Sequence, residues 1–182
     1  MAGLLSIRKR ERVEKLDEEQ KIKINKLWTS DVKQYQFIEG KGTKIYPEKN
    51  SIFIMKTQVG IELFGIVLNN HVFNRNADEQ IVIAIYLKSP ISNDFDINDM
   101  FINPLIVDKY YWEKGLFVNT DQQIEKKINI DYGFYRNFTN SFCDEYGKEL
   151  KNEPTHLGCY GISTIHGVAF EIMEELIFRK MI

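Results

Sequence analysis

The chain has 182 residues, 43% hydrophobic and 13% aromatic, with 24 basic and 26 acidic side chains and a net charge of −2. A chain of this size buries roughly 70% of its unfolded surface, enough for one domain, or one domain with an arm, without metal or disulfide staples. The net charge is too small to argue for nucleic acid, a membrane surface or a polycationic partner, and no segment approaches the roughly 20 apolar residues that span a bilayer. Residues 1–7 are too short for a signal-peptide core, and Arg8-Lys9-Arg10 follow them instead of preceding them, so a soluble cytoplasmic protein is expected. Cys143 and Cys159 form no Cys-x-x-Cys, and two free thiols are expected in preference to a bridge between them.

Residues 1–40 read as a charged helical arm and 41–182 as a single α+β domain. Within 8–28, Val13, Leu16, Gln20, Ile24 and Leu27 recur at spacings of three and four, which predicts a helix with one narrow apolar stripe and charged outer faces. A solvated helix resting one edge on the domain is the expected role. Glu11, Glu14, Asp17, Glu18 and Glu19 weaken a basic arm for RNA or lipid, and a partner-binding helix is the remaining reading. Residues 31–50 are mixed, with Tyr35, Phe37, Tyr46 and Pro47 leading into the sheet, and Gly40-Lys41-Gly42 sets the arm apart as an appendage.

Short β-branched runs bounded by Gly and Asn predict strands at 51–57, 61–68 and 81–87. The third is apolar on both faces, as expected of the central, most buried strand. Gly65 predicts a bulge or bend, and Asn69-Asn70 a turn. Loop 90–99 carries Asp94, Asp96 and Asp99 but lacks the central Gly and final Glu of an EF-hand, so a solvated loop is expected. A short helical turn or strand follows from Asp99 to Pro104. Tyr110, Tyr111 and Trp112 cannot all point inward on a strand, so at least one is exposed, while Trp112 and Phe117 belong to the core and Gly115 marks a turn. Residues 128–135 read as a strand, 143–150 as a strand breaking into a turn at Gly147, and 157–163 as a short edge strand. The final helix is the clearest: Ile165, Val168, Ala169, Ile172, Met173, Leu176 and Ile177 form a stripe, Thr164 is its N-cap, and Glu171, Glu174 and Glu175 lie off that face. Together these predict an α+β fold, a curled antiparallel, partly barrel-like sheet packed against a C-terminal helix.

Reactive groups do not gather into any signature. His71, His156 and His166 share no metal-ligand spacing, and phosphate-binding loop, nucleophile elbow and His-Glu-x-x-His are all missing. No flanking pattern supports a Cys143–His156 or Cys159–His166 nucleophile pair. No catalytic residue, metal or cofactor is expected. The partner-binding candidates are the carboxylates Asp94, Asp96 and Asp99 and the aromatics Tyr110 and Tyr111.

An ordered set of segments goes further. Ser51-Ile52-Phe53-Ile54, Phe64-Gly65-Ile66-Val67-Leu68 and Ile83-Ala84-Ile85-Tyr86 precede Pro104-Leu105-Ile106 and Tyr111-Trp112-Glu113-Lys114-Gly115-Leu116-Phe117. Phe142-Cys143-Asp144-Glu145-Tyr146-Gly147-Lys148-Glu149-Leu150, Glu153-Pro154 and Gly158-Cys159-Tyr160-Gly161 follow. In this order, from about residue 46 to 182, the segments resemble the immunity protein 26 family of bacterial polymorphic toxin systems. The resemblance implies a cytoplasmic α+β protein that protects its producer by binding a cognate toxin domain, with no catalytic residues. It brings no binding motif and does not cover the arm. Against a basic nuclease toxin, Asp94, Asp96 and Asp99 are expected to mimic phosphate and speed encounter. The alternative is a small-barrel module binding nucleic acid or a small ligand, and an enzyme with an unrecognised site comes third.

Overall fold

A computed structural model describes residues 3–29, 37–73, 79–124 and 128–182. Helices α1 (Leu4–Glu14) and α2 (Glu18–Thr29) come first. The strands β1 (Ser51–Lys56), β2 (Glu62–Phe73), β3 (Glu79–Tyr86) and β4 (Ile102–Asp108) follow, then a single helical turn, α3 (Tyr110–Glu113), and β5 (Val118–Gln123). The chain continues through β6 (Tyr132–Arg136), β7 (Ser141–Cys143), β8 (Glu149–Leu150) and β9 (His156–Cys159) to α4 (Ile165–Phe178).

The fold is α+β, with its strands in two sheets. The first has the order β4-β3-β2-β1-β5 and is antiparallel throughout, whereas the second, β8-β7-β6-β9, includes a parallel β6–β9 pair. The single curled sheet of the sequence reading is therefore divided in two. Alternation along the strands sorts the core. Phe53, Met55, Leu63, Ile83 and Ile85 point to the helices and meet Ile172 and Leu176 of α4 and Ile24 and Leu27 of α2. Ile66, Leu68, Val82, Ala84 and Ile106 point the other way and meet Phe134 and Cys143 of the second sheet. The five-stranded sheet is the middle layer of three, which is why β3 is apolar on both faces. The middle position in that sheet nevertheless belongs to β2, not to β3 as expected.

Several local readings are corrected by identifiable physics. The predicted helix 8–28 is two helices, because Asp17 caps the second: its carboxylate accepts from the Gln20 amide at 3.0 Å and its carbonyl from the Lys21 amide at 3.0 Å. Gly65 is neither bulge nor bend. Pairing runs regularly through it, and a Cβ there would lie 2.0 Å from Cζ of Phe53, whose ring covers the glycine. The register slips further along, between Val67 and Val72, so Asn69-Asn70 is an irregularity inside β2 and not its end. Likewise β4 runs through Pro104, with two residues, Asn103 and Pro104, opposite Ala84 in a bulge that accommodates the missing N–H.

Gly40-Lys41-Gly42 is a packed segment and not a free linker. The Gly40 amide donates to the Gly115 carbonyl at 2.8 Å, and a Cβ on Gly42 would lie 2.0 Å from the Glu113 oxygen. Gly115 itself has φ +70°, a conformation favoured only for glycine. Of the mixed stretch before it, residues 31–36, Tyr35 included, lie outside the described residues, while Phe37 is buried against Phe117. Residues 110–112 form the α3 turn instead of a strand, so Tyr110 stays exposed while Tyr111 and Trp112 turn into the core. Residues 128–130 precede β6 without joining it.

Candidate interaction surface

Helix α4 is seated by its apolar stripe: Val168, Ile172 and Leu176 are completely buried, and the Thr164 hydroxyl caps the first turn by accepting from the Gly167 amide at 3.1 Å. Lying off that stripe does not leave its glutamates in open solvent. Instead α1 covers them. Lys9 pairs with Glu174 at 2.6 Å, and the Arg12 guanidinium grips Glu175 with two contacts of 2.8 and 3.0 Å. Arg8 forms a two-pronged pair with Glu153 in the loop before β9, its Nη2 lying 2.9 Å from Oε2. Lys9 also lies over the Phe170 ring and Arg12 over the Phe178 ring, at 5.5 and 4.0 Å from the centroids. The order of these contacts makes α1 run alongside α4 in the same sense. Glu174 is buried and also accepts from the Trp28 indole of α2 at 2.7 Å.

In contrast to α4, α1 has no buried residue. Between it and the body lies a groove of about 640 Å³, lined by Lys9 and Arg12 on one wall and by Leu157, Cys159 and Glu171 on the other. Glu171 is partly buried, and no hydrogen bond from the described residues reaches its carboxylate. Burial pushes this group up from 4.5 to about 7, nearby Glu174 adds to the shift, and Lys9 opposes it. His156 also lines the groove, and its Nε2 is buried without a hydrogen-bond partner among the described residues. At the far end Gly3 lies against Asn137 of the β6–β7 hairpin, whose next residue, Phe138, is fully exposed.

The residues singled out from sequence do not form one surface. Asp99 precedes β4 and Tyr110 follows it, which puts about 20 Å of strand between the acidic loop and the aromatic pair. Asp94 holds Lys88 at 2.6 Å and accepts from the Ser92 hydroxyl, and these bonds pull its carboxyl down to about 2. Asp96 accepts from the Asn98 amide at 2.9 Å, and Asp99 lines a small hollow with Phe95 and Arg179. Two of the three carboxylates therefore hold their own loop together. Tyr110 is exposed, but Tyr111 is buried, its hydroxyl donating to the Ser163 carbonyl at 2.9 Å.

The Asp144-Glu145-Tyr146-Gly147 turn ties the two sheets together. Asp144 accepts from the Tyr146 and Lys148 amides at 3.0 and 2.8 Å, and Arg136 donates to the Gly147 carbonyl while stacking over Tyr160. Glu145 accepts from Tyr132 at 2.9 Å and from Asn69 at 2.8 Å, so the irregularity in β2 is what brings that amide across. Cys143 and Cys159 flank β6 on opposite sides. Two strand spacings, about 9–10 Å, separate them, beyond the roughly 7 Å limit for a disulfide. Burial pushes the Cys143 thiol up, away from nucleophilic use.

Among the described residues no helix is long and apolar enough to cross a membrane, and no group of three or more His, Cys, Asp or Glu side chains gathers to hold a metal. Compared with known proteins, the chain matches no family model, no curated protein and no solved structure.

Proposed function

We propose that this chain is a non-catalytic immunity protein of a bacterial polymorphic toxin system, acting in the cytoplasm by binding and neutralising a cognate toxin domain. The observation that carries the reading is the ordered set of segments resembling the immunity protein 26 family. Several of these segments have a structural reason to be as they are. Phe64-Gly65 makes room for the Phe53 ring, and Trp112 and Phe117 pack face to edge around Gly115. Asp144 to Gly147 ties the second sheet to the first, and Gly158 passes so close to the Pro104 carbonyl that a Cβ would lie 2.1 Å from it. The pattern describes a rigid scaffold, which is what an inhibitor that works by surface complementarity requires. Exposed Phe138 and Tyr110 are anchors of the type that dominate such interfaces. The groove is walled by charges of both signs and not by a continuous basic path, so it lends no weight to a nucleic-acid module.

The test is capture of the partner from the lysate and secreted fraction of the producing cell, with the purified chain as bait. The expected result is one stoichiometric protein that is toxic when expressed alone and harmless when co-expressed with this chain. A captured partner that is not toxic, or toxicity unaffected by co-expression, overturns the reading.

A further inference from the structure

We infer that the glutamate ledge of α4, with Glu153 beside it, is a docking site for a basic helical segment of a protein partner, and that α1 occupies it as an intramolecular stand-in. The inference rests on the reading of the chain as a binding protein and specifies which surface binds and what chemistry it selects.

Four observations lead there. First, the ledge is occupied through charge: Arg8, Lys9 and Arg12 each sit on a glutamate of the body, and their side chains remain 44%, 38% and 50% exposed. Glu174 and Glu175, by contrast, are largely buried, so they call for a cation in place of Lys9 and Arg12 when α1 leaves. Second, α1 has no buried residue, and the partly buried Val13 is what it rests against the main core, so lifting it uncovers little core surface. Third, the fit is incomplete. The groove under α1 stays open, with the Glu171 carboxylate unbonded and His156 Nε2 buried without a partner among the described residues. A partner helix with a cation one turn from those matched by Lys9 and Arg12 would reach Glu171 as well. Fourth, the pivot is defined. Asp17 is tied to Lys180 at 2.6 Å and caps α2, so displacement stops at Lys15-Leu16 and leaves α2 in the core. With α1 lifted, Arg179, paired with Glu175 at 2.9 Å, is the one Lys or Arg left among the described residues that line the ledge with Glu153, Glu171, Glu174 and Glu175, and Phe170 and Phe178 offer ring faces to incoming cations.

The experiment uses the full chain carrying Arg8→Glu, Lys9→Glu and Arg12→Glu, which repels α1 from the ledge. Two fluorescent probes are titrated by anisotropy at about 50 mM salt: a peptide of residues 3–16, and an unrelated helical peptide of the same length rich in Lys and Arg. Both should bind the variant at least about tenfold more tightly than the wild type, and both should weaken about tenfold when Glu171→Gln, Glu174→Gln and Glu175→Gln are added. If the charge-reversed chain does not fold by circular dichroism, hydrogen exchange on the wild type decides instead. The unrelated basic peptide should then strip protection from residues 4–14 and leave 165–178 unchanged. Equal binding to wild type and variant, indifference to the glutamine substitutions, equal competition by spermine, or dimerisation through exchange of α1 between two copies would each overturn the inference. Toxin neutralisation that survives while these peptide results fail would sink this docking site alone, not the immunity reading.

Discussion

Helices α1 and α4 lie side by side, yet they are held by opposite means. The stripe of α4 disappears into the core under the five-stranded sheet, whereas α1 contributes no buried residue, rests the partly buried Val13 on the core, and is fastened mainly by three partly exposed cations. The hydrophobic contribution of one buried leucine, about 2 kcal/mol, exceeds that of a typical exposed ion pair, about 0–1 kcal/mol. Proximity in space therefore does not imply shared stability. The two helices should open at different free energies, α4 with the whole fold and α1 by itself.

The largest effect should come from α4. Leu176→Ala removes a fully buried side chain and should cost about 2–5 kcal/mol in urea unfolding, with residues 4–14 losing no more protection than the rest. A cost below about 1 kcal/mol would mean that α4 is not anchored by burial.

Glu171 gives the next effect, on the boundary between the two helices. Its native value near 7 lies above the ordinary 4.5, so the native state keeps a proton that the unfolded chain releases. Stability contributed by this group is complete below about pH 4.5, falls as the pH rises towards 7, and is flat above, a change on the order of 3 kcal/mol. Glu171→Gln should remove that slope when unfolding is compared at pH 5 and pH 8. Identical slopes in the two proteins would place the carboxylate in solvent.

Glu174 belongs to both helices, since it serves Trp28 of α2 and Lys9 of α1. Glu174→Ala orphans a part-buried indole N–H and should cost about 1–3 kcal/mol. Lys9→Ala leaves that bond intact and should cost less than about 1 kcal/mol. Equal costs would show that the pair with α1 carries the whole interaction. Smallest in global terms, Arg8→Ala with Arg12→Ala should change unfolding by less than about 1 kcal/mol while amide exchange in 4–14 accelerates at least about tenfold. If 165–178 accelerates equally, the two helices open together and the contrast fails.

The same contrast explains what the sequence reveals. Strands β1 to β3 and helix α4 announce themselves because burial is periodic: β-branched runs on the sheet, and spacings of three and four from Ile165 to Ile177. The polar strand β5, Val118–Gln123, has no apolar alternation because it stands at an edge. Pro104 hides β4 by suggesting a break where a bulge absorbs the proline. The break between α1 and α2 was legible in Asp17 followed three residues later by Gln20, a capping pattern that the apolar stripe masks. The candidate surface was not legible. Glu171, Glu174 and Glu175 lie off the stripe, as periodicity says, and the cations that cover them come from a segment about 160 residues earlier in the chain. Pairing of opposite charges across such a distance leaves no local period. Phe138, alone among Asn and Thr in a hairpin, was the available hint of an exposed anchor.

The long reach of these contacts also governs how the protein is made. Trp28 donates to a glutamate 146 positions later, and the buried stripe of α2 waits for the same helix. At a synthesis rate of about 5–20 residues per second, that wait lasts roughly 7–30 s on the ribosome. During it, the apolar edge of α2 and one face of the nascent sheet have no cover, and the basic arm has no glutamates to meet. The helical layer therefore closes only after α4 has emerged, however early the sheet is made. A chain cut short before Ile165 would be a sheet without its lid, a species that chaperones and proteases recognise.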